Sequence, residues 1–304
     1  MGRPAISRRV LVSGLACAGV FFWVGAGRPA AQGDLRERTM FVTVVDRMDN
    51  PVEGLTAADL VVREDGQRRE VLRLSRATEP IDVAVLVDNA ATSEELIPRV
   101  REGLKAFIAA MTPRNSVALI ALADRPTILV DYTTSASALL TGTGRLFTMR
   151  NSGMTLLDGL VETSEGLRRR EAVRAAIVPV VTDGTEFTNR HYKDVVDAIT
   201  RSGAGFYPIT VGTFTVTATG PERERALMLD SAPGVSGGRR FNLLAGSAIE
   251  STMEKVARQL TSQYKVVYSR PDTLIPPEKI EVTSMKPGLA VRGTPARTAA
   301  GSAK

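Results

Sequence analysis

The chain has 304 residues, 43% of them apolar and 24% charged, with a formal net charge of +6. This balance suits a folded globular protein and excludes a disordered or fibrous one. The excess charge is local: Arg3, Arg8, Arg9 and Arg28 lie in the first 32 residues without an acid among them, and the remainder carries 35 basic against 33 acidic residues, about +2, too little for a nucleic-acid footprint.

Residues 1–32 have the layout of a signal peptide: arginines, an uncharged run from Val10 to Gly27, then small residues Ala30 and Ala31. The run is short and broken by glycine for a spanning helix, so no stable membrane anchor is expected after cleavage. Ser7-Arg8-Arg9-Val10-Leu11-Val12 resembles a twin-arginine export signal, and export by that route or the general secretory one would place the protein in the periplasm or outside the cell. The single cysteine, Cys17, lies within this leader with Gly14 three residues before it, where a lipidation box wants leucine. The mature chain then has no cysteine and no disulfide, and its core alone must hold it together.

Residues 33–80 read as β structure. Phe41, Thr43 and Val45 alternate with Val42 and Val44, Thr56 can cap a single helical turn through Asp59, and Leu60 to Glu64 pairs across an Asp65-Gly66 turn with a strand over Glu70 to Leu74. From 81 to 262 strands and helices alternate. Val83 to Val87 is a strand buried on both faces, and Ser93-Glu94-Glu95 suits a helix start with Leu96, Val100, Leu104, Phe107, Ile108 and Met111 on its apolar face. Strands over Val117–Ala121 and Thr127–Val130, a weak helix over Leu139–Phe147, and a helix from Thr155 follow. Next come a strand over Ala175–Val181, a helix around Tyr192–Ile199, a strand over Phe206–Val211 and a helix carrying Ile249, Met253, Val256 and Leu260. Such alternation predicts an α/β fold with a doubly wound, mostly parallel sheet. Residues 263–293 return to β, and 294–304 read as a disordered tail.

Ligands of open parallel sheets sit beyond the carboxyl ends of the strands. Asp88 ends one strand, Asp183 ends another, and Thr155 opens a helix, which puts carboxylates and hydroxyls at one crevice if those strands are neighbours. Oxygen donors of this kind suit Mg²⁺. Taken singly, an aspartate at a strand end or a threonine at a helix start is as readily a cap. In order along the chain, Asp88-x-Ala90-x-Thr92, Met154-Thr155-Leu156-Leu157-Asp158 and Thr182-Asp183-Gly184 resemble the metal-ion-dependent adhesion site of von Willebrand factor A-type domains, over about Ile81 to Ser262. The flanks, Asn50-Pro51-Val52-x-Gly54-Leu55-Thr56 and Lys286-Pro287-Gly288-Leu289-x-Val291-Arg292, resemble those of secreted bacterial proteins with such a domain.

The resemblance implies that both chain ends form one small accessory β module beside the A-type domain. It implies that Asp88 and Asp183 hold Mg²⁺ through water and that Thr92 and Thr155 offer hydroxyls. Ala90 breaks the pattern where the family has serine, so metal binding is weak or absent. The function implied is non-catalytic binding of a protein or extracellular matrix partner at a degenerate site; the alternative is a metal-free scaffold subunit of a cell-envelope assembly. Enzymatic motifs are missing. His191 is the only histidine and reads as a surface or capping residue, Gly142-Thr143-Gly144 does not follow a strand, and Glu186 near Asp183 could pair as acid and base, although carboxylates by a metal crevice are as readily expected for binding. Arg168-Arg169-Arg170 with Arg174, and Arg239-Arg240, read as solvated basic clusters.

Overall fold

Strand-forming patterns at both chain ends meet in the folded protein. The computed structural model describes residues 35–271, 275, 277 and 279–295, so the leader and the tail from residue 296 lie outside the described residues. At the N-terminal side, β1 spans Leu35–Val45, followed by β2 (Leu60–Glu64), β3 (Gln67–Arg69) and β4 (Val71–Arg76). Asp65 and Gly66 turn β2 into β3 with φ of 47° and 80°, the left-handed pair that a tight hairpin requires. The strand that returns onto β2 is β3, and the expected Glu70–Leu74 falls largely in β4, which joins a different sheet. Thr56 donates through its N–H and its hydroxyl to Asp59, at 2.7 and 3.0 Å, which fixes the single helical turn.

The central part begins with β5 (Asp82–Val87), α1 (Ile97–Met111), β6 (Ser116–Ala121) and β7 (Thr127–Thr133). Then come α2 (Ala136–Gly144), α3 (Leu156–Arg169), β8 (Ala175–Thr182), α4 (Tyr192–Ser202), β9 (Ala204–Phe206) and β10 (Ile209–Val211). The run closes with α5 (Gly220–Ser236), β11 (Phe241–Leu243) and α6 (Ile249–Thr261). The sheet order is β11-β10-β8-β5-β6-β7, with β9 beside β8; all neighbours are parallel except β7, an antiparallel edge strand. Along β5, Val83, Val85 and Val87 enter the core beneath α1 and α6, while Ala84 and Leu86 enter the core beneath α3, α4 and α5. The doubly wound α/β fold expected from the sequence is the one observed.

Several elements differ from the sequence reading. Ser93 does not cap α1: Ala91–Ser93 is a short 3-10 turn, the helix starts at Ile97 with Pro98 in its first turn, and the Ser93 hydroxyl is buried without a partner. The helix expected over Leu139–Phe147 sits earlier, because Ser135 caps it through the Ala138 N–H at 3.3 Å. The strand over Phe206–Val211 splits at Pro208, which has no N–H for the ladder.

The C-terminal strands are β12 (Tyr264–Pro271), β13 (Ile280–Ser284) and β14 (Ala290–Pro295). Thr294 and Pro295, the first residues of the expected tail, belong to β14. The strands join the N-terminal ones in two antiparallel sheets, β14-β1-β12-β4 and β13-β2-β3, which share a core of Met40, Val42, Leu60, Val62, Tyr264 and Val266. Arg174 ties this module to the central sheet and corrects the reading of a solvated cluster. It is buried, it donates to the Glu79 carbonyl at 2.9 Å and to Gln263 at 3.0 Å, and it lies over the Phe41 ring. Burial holds its pKa down at about 10. Arg239 also is no free cation, since it pairs with Asp49 and stacks on Phe241, and Arg240 pairs with Asp230 at 2.6 Å. Among the described residues, no helix is long and apolar enough to cross a membrane.

Candidate functional site

β5 and β8 are adjacent, with Val87 opposite Val180, so Asp88 and Asp183 leave the same edge of the sheet. Asp88 is buried at 2% exposure. Its Oδ1 accepts the Ala90 N–H at 2.9 Å, and its Oδ2 accepts the Thr182 N–H at 3.2 Å together with the Thr182 hydroxyl. The proton of Thr182 is committed to Asp88, so at 3.2 Å it is the Thr92 hydroxyl that donates to Thr182. Gly184 is needed beside this chain of hydroxyls, because a Cβ there would collide with Thr92.

Thr155 occupies the helix-start position expected of it, but its hydroxyl does not cap α3; it donates to the Leu122 carbonyl at 2.6 Å. The loop after β8 is stitched to the same segment, with Met154 donating to Thr185 at 2.9 Å and Phe187 donating to Met154 at 2.8 Å. Asp183 is exposed, and its Oδ2 accepts the Thr213 N–H at 2.8 Å beyond β10. Thr182 thus joins Thr92 to Asp88 and precedes Asp183, while Thr155 is linked to them through Leu122, whose N–H donates to Asn89 beside Asp88.

Residues 81–186 match the family model described as von Willebrand factor type A domain. The chain carries a von Willebrand factor type A domain. No curated protein matches it in sequence. Among solved structures it is similar to proximal thread matrix protein 1 of the mussel byssus at 14% identity, covering 65% of this chain and 50% of that one, with a TM-score of 0.49. A von Willebrand factor type A protein from Catenulispora acidiphila is 11% identical over 88% of this chain and 73% of its own, with a TM-score of 0.48. The corresponding domain of the pili tip protein Mfa5 from Porphyromonas gingivalis is 10% identical over 60% of this chain and 96% of its own, with a TM-score of 0.46. The chain spans about half the length of the mussel protein.

The donors of this A-type domain do not fit a divalent cation. Ala90 offers a methyl group, both oxygens of Asp88 already accept protein donors, and Asp183 Oδ2 is engaged by the Thr213 N–H. What remains is neutral threonine oxygen and one exposed carboxylate, a thin shell for an ion that favours several hard, charged ligands.

Three residues with important places in the A-type crevice were given no role from the sequence, although Thr182 lies in the Thr182-Asp183-Gly184 motif. Asn89 clamps its floor: Oδ1 accepts from Leu122 and Ala123 at 3.1 and 2.9 Å, and Nδ2 donates to the Phe147 carbonyl at 2.9 Å. Thr182 links Thr92 to Asp88. Arg225, from the unexpected helix α5, donates to the Gly184 carbonyl at 2.6 Å. Glu186 is buried rather than presented as a base; it accepts from the Thr188 hydroxyl and, at 3.5 Å, from Leu157 N–H at the start of α3. Burial pushes its pKa up to about 7, against the opposing effects of Thr188 and Arg225. His191 is a cap, as expected, with Nδ1 accepting from Lys193 N–H at 3.3 Å at the start of α4.

Proposed function

We propose that the chain is an exported, non-catalytic binding protein whose A-type domain takes a protein or matrix partner at the crevice of Asp88, Thr92, Thr155 and Asp183, without a metal ion. The observation that carries this reading is the apolar character of the loops around the crevice. Phe147 is 64% exposed and Phe187 56%, Met149 and Val216 are also exposed, and Leu244 is fully so; all five lie on loops at the carboxyl ends of the parallel strands. Large side chains left in water around a polar floor are the pattern of a surface that a protein covers. The loops are also rigidly supported, since Asn89 fixes the segment that carries Phe147 and Met149. Burial of Glu186 argues against acid–base chemistry on a substrate. Export rests on the leader-like sequence of residues 1–32.

Site-specific photo-crosslinking in the native host tests the reading. A crosslinker at Leu244 should capture a discrete protein or matrix adduct, diminished by Phe187→Ser, whereas one at the exposed Val173, before β8 at the opposite end of the sheet, should not. Equal adducts at both ends would favour a scaffold that binds through other faces and would overturn the crevice as the binding site.

A further inference from the structure

The crevice contains a cation of its own. Arg225 lies little more than one turn into α5 and its side chain is only 3% exposed. Besides its bond to the Gly184 carbonyl, Nη1 stands 3.9 Å from Glu186 Oε2, and the guanidinium faces the Phe214 ring at 5.0 Å from the centroid. Glu222, one turn earlier on the same helix, accepts the Glu186 N–H at 3.2 Å, so α5 grips the loop after Asp183 at two successive places. Burial lowers the pKa of Arg225, and Glu186, Glu222, Asp88 and Asp183 each act the other way by attraction. Gly184, whose carbonyl Arg225 holds, follows Asp183 directly and donates at 3.4 Å to the Thr182 hydroxyl that bonds Asp88, so the guanidinium is tied through one short segment to both aspartates.

A carboxylate buried as deeply as that of Asp88 is held by opposing charge as well as by hydrogen bonds. Its direct partners are neutral: a pair of backbone N–H groups and a threonine hydroxyl. We propose that Arg225 supplies, from beneath the crevice, the positive charge that a divalent cation would otherwise supply, so that the site holds its shape without metal and repels one. The inference rests on the crevice being the binding site, yet its test needs no partner. It also bears on what can bind. A surface metal attracts an acidic side chain of the partner, whereas a guanidinium at 3% exposure cannot touch one. The partner's contact is then with the apolar rim and the exposed Asp183 carboxylate, and an acidic residue there would meet repulsion.

The test compares the whole protein as wild type, Ala90→Ser, Arg225→Gln and the double variant, by thermal melting in millimolar Mg²⁺ against EDTA and by Mn²⁺ titration followed by electron paramagnetic resonance. Wild type and Ala90→Ser should melt alike in both buffers and leave Mn²⁺ free. The double variant should gain a Mg²⁺-dependent rise and bind Mn²⁺ at least about tenfold more tightly than Ala90→Ser. Metal binding by wild type, or by Ala90→Ser as tightly as by the double variant, overturns the proposal, as does a folded double variant that gains nothing. If loss of Arg225 unfolds the protein, adding Glu186→Gln removes the carboxylate left without its counter-charge, and that triple variant takes the place of the double. Ala90→Ser/Arg225→Lys keeps the charge and should stay insensitive to metal. Loss of the rim adduct would count against the functional reading while leaving these metal results untouched.

Discussion

Two buried carboxylates, Glu64 in the accessory β module and Glu186 beside the crevice, are each 2% exposed, and they are treated very differently. Glu64 meets Arg69 at 3.0 Å, Arg270 at 3.1 Å and the Tyr268 hydroxyl at 3.0 Å. Those partners come from both sheets of the module, so the cluster bolts one to the other. Glu186 has Arg225 only at 3.9 Å, and its Oε2 accepts no hydrogen bond. A saturated cluster marks a joint that must not move. An under-satisfied one marks a place where stability has been given up, and it lies under the loop that follows Asp183. The module is the frame, and the crevice is where the fold leaves a buried acceptor unmet.

Substitutions can break or sharpen this contrast. The largest effect is expected from Glu64→Gln, which leaves buried Arg270 and half-buried Arg69 short of a counter-charge and should cost about 3–5 kcal/mol in urea unfolding. A loss below about 1 kcal/mol would mean that the bolt is ornamental. Next comes pH. The folded Glu186 carboxyl titrates near 7, whereas an unperturbed one has 4.5. Between those values the folded state binds the extra proton, so Glu186 makes stability fall as pH rises through this window, with a contribution on the order of 3 kcal/mol. Glu186→Gln should flatten that part of the profile, and an unchanged slope would contradict the assignment. Asn89→Ala should cost about 1–3 kcal/mol, because it strands the Ala123 N–H and frees the Phe147 segment. Hydrogen exchange at Ala123 should rise with it. The smallest effect on stability belongs to Leu244→Ser, within about 0.5 kcal/mol, although rim crosslinking at Phe187 should drop sharply.

The sequence disclosed one half of the site and hid the other for a physical reason. Asp88 and Asp183 stand where apolar strands end and Thr155 stands where an apolar helix begins, so the element pattern itself located them. Arg225 stands inside a helix whose buried stripe includes Arg225 and Ser236 among Leu229 and Ala232, with Pro233 near its end. Polar residues in the buried face erase the apolar period, and α5 escaped notice together with its arginine. Arg174 was misjudged similarly, because neighbouring charges suggest solvent while only the tertiary fold brings Glu79, Leu260 and Gln263 around it. The pairing of both chain ends into one module followed from their flanking motifs; the division into two sheets depended on the break between β3 and β4, which no local pattern announced.

The central claim is that the crevice carries a fixed internal charge in place of a metal. Crystals of the wild-type protein grown or soaked in Mn²⁺, with diffraction measured for anomalous scattering, test it most directly. The account predicts no anomalous peak among Asp88, Thr92, Thr155 and Asp183, with the Arg225 guanidinium bonded to the Gly184 carbonyl and facing Glu186. A Mn²⁺ peak at that crevice, with Arg225 still in place, would contradict it.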